Sequence, residues 1–174
     1  MRVAEVGRLI AKTEGLPEED LYVACLLHDV GYRECETWEE HMKHHLVSAD
    51  IAKRYLEAIN YDEQATSEIV KGIARHNLTD RLPEDMTLFQ MTVRDSDDID
   101  RYDIIRTAML LGECVNDKPY EEILESCDRA IDEAKWFMSL KRGTQTAQKL
   151  IQKECRHRIS LLQEMKEQAK KGFV

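Results

Sequence analysis

The sequence predicts an all-α protein, a single-domain helical bundle, and three observations carry that prediction. Apolar residues recur at steps of three and four along most of the chain, the period of an amphipathic helix. Glycine and proline are scarce, seven and three in 174 residues, so the helices are joined by short turns. No stretch alternates apolar and polar residues over a length useful for a strand. The length suits one domain with a sizeable core, and 43% hydrophobic composition supports a globular chain.

Val3, Val6, Ile10 and Ala11 share one face, so the first helix runs from the start of the chain to about Thr13 and closes near Gly15. Pro17 followed by Glu18, Glu19 and Asp20 opens the second, because proline suits a first turn and the acids complement the positive end of the helix dipole. Leu21, Ala24, Cys25, Leu27 and His28 lie along one side of it, which aims His28 inward. This helix is expected to stop at His28-Asp29, with Gly31 as its left-handed cap.

After a connection over 32–38, a third helix is expected from about Glu39 to Ile59, holding His41, His44 and His45. His44 shares a stripe with Val47, Ser48, Ile51 and Tyr55, and His45 shares one with Ala49, Ala52, Leu56 and Ile59, so periodicity does not choose between them. Asn60-Tyr61-Asp62 ends the pattern. Ala65, Ile69, Ile73 and then His76 mark a fourth helix, with His76 on the inner face of its last turn. A polar loop is expected over 77–83. Leu88, Phe89, Met91 and Val93 then lead a fifth helix into the acidic run from Asp95 to Asp100. Phe89, Val93 and Asp97 stand at steps of four, which carries one acid along the buried stripe. A carboxylate in that position needs a partner, and a metal ion is a good one. Further helices are expected over 104–111, 121–140 and 144–170, with a loop around Asn116 to Pro119 and a break at Gly143. Residues from about 119 to 170 complete the bundle, whose metal-site core spans about 1–105.

The formal net charge of −9 gives a field that repels nucleic acid and anionic membrane, so neither is an expected partner. No apolar run is long enough to span a bilayer and no signal-peptide pattern opens the chain, which makes the cytoplasm the expected compartment. Cys25, Cys35, Cys114, Cys127 and Cys155 are odd in number and form no CxxC pair, so they read as reduced packing residues. There is no glycine-rich phosphate loop and no serine nucleophile elbow.

The chemistry is therefore sought at Leu26-Leu27-His28-Asp29-Val30-Gly31. An imidazole and a carboxylate side by side supply nitrogen and oxygen to one divalent ion, a choice that suits Mn, Fe, Co, Ni or Mg better than a thiolate site would. The same hexapeptide also fits an ordinary helix end. Its standing changes with its companions: a histidine of the third helix, His76 and Asp97 are each on inward-facing turns of separate helices, which is how a helical bundle builds a metal site.

This ordered set resembles the HD-domain superfamily of metal-dependent phosphohydrolases, whose pattern is a His, then His-Asp, often further His residues, and finally an Asp. Leu26 to Gly31 is similar to the doublet. His44-His45-Leu46-Val47-Ser48-Ala49-Asp50-Ile51-Ala52 is similar to the segment in which a His stands four residues before a small residue, which singles out His44. Asp95-Ser96-Asp97-Asp98-Ile99-Asp100 resembles the final acidic motif, whose middle Asp ligates, which singles out Asp97. The resemblance covers about residues 1–105, and the C-terminal helix is similar to the tail of the bacterial nucleotide-hydrolysing branch.

The resemblance implies that His28, Asp29, His44, His76 and Asp97 hold one or two divalent ions (Mn, Fe, Co, Ni, Mg or Zn), with Asp29 bridging and positioning the hydroxide. It implies a phosphohydrolase acting on a nucleotide or similar small phosphate ester. The family's first His precedes a segment like Arg2-Val3-Ala4-Glu5-Val6 and so falls ahead of Met1. A non-catalytic HD-fold ligand-binding or regulatory protein is accordingly the alternative expectation, and a di-iron oxygenase a third. Arg33, Lys43, Lys71, Arg75 and Arg101 are candidates for holding phosphate oxygens, against the competing reading of a solvated helix face. The expected partners are a small phosphorylated substrate and, as a homodimer, a second copy of the chain.

Overall fold

The protein is seen in a computed structural model that describes residues 1–77, 85–115 and 119–171. Nine α-helices and no strand occur among the described residues. They are α1 (Arg2–Glu14), α2 (Glu18–Leu27), α3 (Trp38–His41), α4 (His44–Ala58), α5 (Glu63–Arg75), α6 (Leu88–Arg101), α7 (Ile104–Val115), α8 (Tyr120–Ser139) and α9 (Gln145–Lys171), with a 3-10 turn at Tyr32–Glu34. The all-α class follows from the side-chain period, and most helix ends fall within a few residues of the punctuation that announced them. The loops expected over 77–83 and 116–119 lie largely outside the described residues.

The chain forms two compact units, Met1–Asp98 with Arg142–Ala147, and Ile99–Lys141 with Gln148–Val174. In the first, α1 packs on α2, α4 on α5, and α2 on α5. Its core joins Val3, Ala4 and Ala11 of α1, Leu21, Ala24 and Cys25 of α2, Ala49, Ala52 and Leu56 of α4, Ile69 and Ile73 of α5, and Phe89 and Val93 of α6. Alanines at many of these contacts leave no long side chain to hold the helix axes apart. In the second unit, Cys127, Ile131 and Leu162 form an apolar cluster. In the same unit Tyr102 is fully buried, its ring 4.4 Å from that of Phe137 and 4.4 Å from the Arg158 guanidinium.

Two expectations are corrected. The helix expected from 39 to 59 is broken at Met42-Lys43 into α3 and α4. Thr37 starts α3 with a reciprocal cap: its hydroxyl accepts the Glu40 N–H at 3.2 Å, and the Glu40 carboxylate accepts the Thr37 N–H at 2.9 Å. At the break the His41 carbonyl, which an unbroken helix would give to the N–H of His45, instead accepts from the His44 ring at 2.6 Å. Periodicity is blind to such an exchange of partners.

Gly31 is not a left-handed cap. Its φ of −87° and ψ of −2° are open to any residue. What requires glycine is the approach of α4, since a Cβ here would lie 2.7 Å from the backbone nitrogen of Ser48 and 2.9 Å from the carbonyl carbon of Val47. The Gly31 N–H donates to the Ser48 hydroxyl at 3.0 Å across this contact.

Cys25, Cys35, Cys127 and Cys155 are buried and form no disulfide; the side chain of Cys114 is outside the described set. No helix among the described residues is long and apolar enough to cross a membrane.

Candidate metal centre

An α-helix leaves its last carbonyls without partners, and three histidines use that fact in the same way. His28 follows the end of α2, His76 the end of α5, and His44 the end of α3. Each ring reaches back three residues: His28 Nδ1 to the Cys25 carbonyl at 2.7 Å, His44 Nδ1 to that of His41 at 2.6 Å, and His76 Nδ1 to that of Ile73 at 2.7 Å. A carbonyl only accepts, so each Nδ1 carries the proton and each neutral ring presents the lone pair of Nε2.

Those three Nε2 atoms converge on two carboxylates. His28 Nε2 lies 3.3 Å from Asp29 Oδ2 and 3.4 Å from Asp97 Oδ1. Asp29 Oδ1 lies 3.0 Å from His44 Nε2 and 3.5 Å from His76 Nε2. Two sets of donor atoms within 4.8 Å of one another result, His28 with His76 and Asp97, and Asp29 with His44 and His76. One imidazole nitrogen holds one ion, so two ions require His76 to serve only one of them. Asp29 is suited to bridge, because its two oxygens face different rings. The imidazoles are buried, whereas the side chains of Asp29 and Asp97 are 46% and 33% exposed, which opens the carboxylate edge to solvent.

The electrostatics call for a cation. His44 Nε2 and His76 Nε2 are 3.2 Å apart, and with both Nδ1 atoms protonated their lone pairs face each other unless a proton or a metal ion lies between. Burial opposes charge on His28, yet the hydrogen bonds it donates to Asp29 and then Asp97 push its pKa up to about 10. Burial likewise opposes the charge on Asp29, but His28 and His76 hold it well below the usual carboxylate range; Asp97 is lowered against burial, chiefly by His28. Three nitrogens and two carboxylates without a thiolate match hard and borderline divalent ions. Burial pushes the nearby Cys25 thiol up to about 12, and Cys25 belongs to neither donor set.

All five expected metal ligands are thus brought together, and the choice that periodicity left open falls on His44. His45 lies 5.8 Å ring to ring from His44 and 6.2 Å from His76, and belongs to neither donor set. The basic candidates are dispersed. Arg33 and Lys43 are exposed beside the 3-10 turn residue Tyr32 and the ligand His44. Arg75 is paired instead with Asp85 at 2.7 and 2.9 Å and with Gln90 at 3.2 Å. Lys71 lines a cavity of about 560 Å³ with Lys53, Asn60 and Thr66, none of them a ligand. Arg101 belongs to the second unit, 3.8 Å from Glu133. Sequence reading missed Tyr32, which stacks on His41 at 4.7 Å and stands 5.2 Å from the His44 ring. Its proximity to the doublet was the available signal.

Fold and site together define a helical protein with a candidate divalent-metal centre at the ends of three helices and against a fourth, α6. Within that class the chain belongs to the HD domain family, whose model matches residues 1–102, a span containing all five candidate ligands. HD domains bind divalent metals, and the family is generally one of hydrolases. Comparisons with curated proteins and with solved structures give no match.

Proposed function

We propose that the protein is a metal-dependent phosphohydrolase acting on a nucleotide or a similar small phosphate ester. The observation that carries this reading is the convergence of three Nε2 lone pairs, each fixed by its own Nδ1–H bond to a carbonyl, on the carboxylates of Asp29 and Asp97. With His76 serving the second ion, His28 with Asp97 and the facing oxygen of Asp29 would hold one ion, and His44 and His76 with Asp29 a second; Mn, Fe, Co, Ni, Mg and Zn suit the donors. When bound, such an ion polarises a phosphoryl oxygen and lowers the pKa of water.

The chain's own residues supply the rest. The three backbone carbonyls hold the imidazoles in one tautomer and one orientation, as outer partners of metal ligands do. Asp29, kept ionised by His28 and His76 and half exposed, orients the attacking water. Arg33 and Lys43 are the solvent-facing cations flanking the site in sequence, and hold phosphate oxygens that the overall charge of −9 would otherwise repel. The cytoplasm is the compartment that keeps the buried thiols reduced.

Metal-loaded protein is expected to release phosphate or pyrophosphate from members of a nucleotide panel. Asp29→Ala is expected to reduce that release by at least about 100-fold, since losing a ligand exceeds losing an outer partner. Stoichiometric metal with no release from any nucleotide or other small phosphate ester would overturn the reading.

A further inference from the structure

Asp97 shares its helical turn with two other aspartates that point elsewhere. Asp95 and Asp98, three residues apart on one face of α6, meet the segment Arg142–Ala147, which returns to this unit from 44 to 48 residues further along the chain. Arg142 Nη1 donates to Asp98 Oδ2 and lies 3.5 Å from Asp95 Oδ1, while the Gly143 N–H donates to Asp95 Oδ2 at 2.8 Å. Arg94 Nε adds a longer approach to Asp98 at 3.9 Å. The side chains of Arg142 and Asp95 are each 1% exposed, so these are paired buried charges. Gly143 permits the approach: a Cβ there would lie 2.7 Å from Cβ of Met91, the residue one turn before Asp95.

We infer that Arg142 and Gly143 form a latch that positions Asp97 for the metal, so that the metal centre depends on a segment outside the HD match. The inference rests on the metal-centre reading above. Its physical basis is that Asp97 reaches His28 only through the register of its turn. With the latch gone, Asp95 and Asp98 become two buried carboxylates without their long-range cation, beside a third in the same turn. Hydration of those groups and their mutual repulsion both draw the turn outward, and Asp97 moves with it. Arg142 is a positioning residue: it acts on the metal through Asp95 and Asp98.

The test is calorimetric titration of the full-length protein with Mn²⁺ and the visible spectrum of its Co²⁺ form. Arg142→Gln, Arg142→Lys and Gly143→Ala are compared with Leu56→Ala, a core substitution away from the ligands. Arg142→Gln and Gly143→Ala are expected to weaken the ion by about 10- to 100-fold and to alter the Co²⁺ bands. Arg142→Lys, which keeps the charge, is expected to recover part of the affinity even if Arg142→Gln fails to fold. Leu56→Ala is expected to lower the melting temperature while leaving affinity within about twofold, which separates positioning from general destabilisation. Wild-type affinity in folded Arg142→Gln, or in Gly143→Ala where Arg142→Gln fails to fold, would overturn the latch alone. Wild-type protein that binds no ion would instead overturn the metal-centre reading, and the latch with it.

Discussion

His28, His44 and His76 share one arrangement, in which Nδ1–H is given to a helix-end carbonyl and Nε2 is left for the site. That arrangement fixes how the ion-free cluster responds to pH. The pKa of His28 is raised on folding from 6.5 to about 10, so its contribution to stability is complete below about pH 6.5 and is lost as the pH rises through about 10. Asp29 and Asp97 are lowered from 3.8, so their contribution is present above about pH 4 and is lost as the pH falls through their depressed values. Melting of chelator-treated protein should therefore show the cluster's stabilisation at its greatest between about pH 4 and 6.5. Asp97→Asn should flatten the alkaline decline. Metal binding runs the other way, because the ion displaces a proton held by His28. Affinity should rise by about tenfold per pH unit between roughly pH 7 and 10, and titrations in buffers of different ionisation enthalpy should show a proton released. Affinity independent of pH would contradict the protonated His28.

Elements place these residues through their ends rather than their middles. The break between α3 and α4 frees the His41 carbonyl for His44, and the 3-10 turn after Asp29 lies against α4 closely enough to exclude a Cβ at Gly31. The atoms in the way are backbone, Ser48 N at 2.7 Å and Val47 C at 2.9 Å, and no rotamer change moves them aside. Gly31→Ala is accordingly expected to destabilise the protein by about 1–3 kcal/mol in urea titration. Because Asp29 lies two residues before the contact, the same substitution should weaken metal binding. Destabilisation with unaltered affinity would show that the turn moves without carrying Asp29.

For the whole molecule, an ion bound at the candidate centre would link three helix ends and α6, none of which the unfolded chain holds in place. At a free-metal concentration about 100 times the Kd, binding adds about 2.7 kcal/mol of stability. For a chain of this size that corresponds to a rise of roughly 5–11 °C in Tm. Adding a chelator should remove that rise, and identical melts with and without metal would count against a site of this strength. The net charge of −9 belongs to the same scale, since it leaves anionic ligands to be held by local cations.

By itself the sequence determined the all-α class, the approximate helix limits and the donor chemistry at His28-Asp29, His76 and Asp97. These are legible because a helix writes its buried face into its own spacing, and because His and Asp are suited to few ions wherever they stand. Periodicity left His44 and His45 equal and only the motif singled out His44; the tertiary structure supplies the physical reason, one break and one carbonyl that bring His44 and not His45 into a donor set. It alone showed that Gly31 answers to α4 rather than to its own φ, and that Asp95 and Asp98 answer to Arg142 and Gly143, 44 to 48 residues away. Periodicity records which way a residue faces along its own helix; which atoms it meets depends on how separate segments pack.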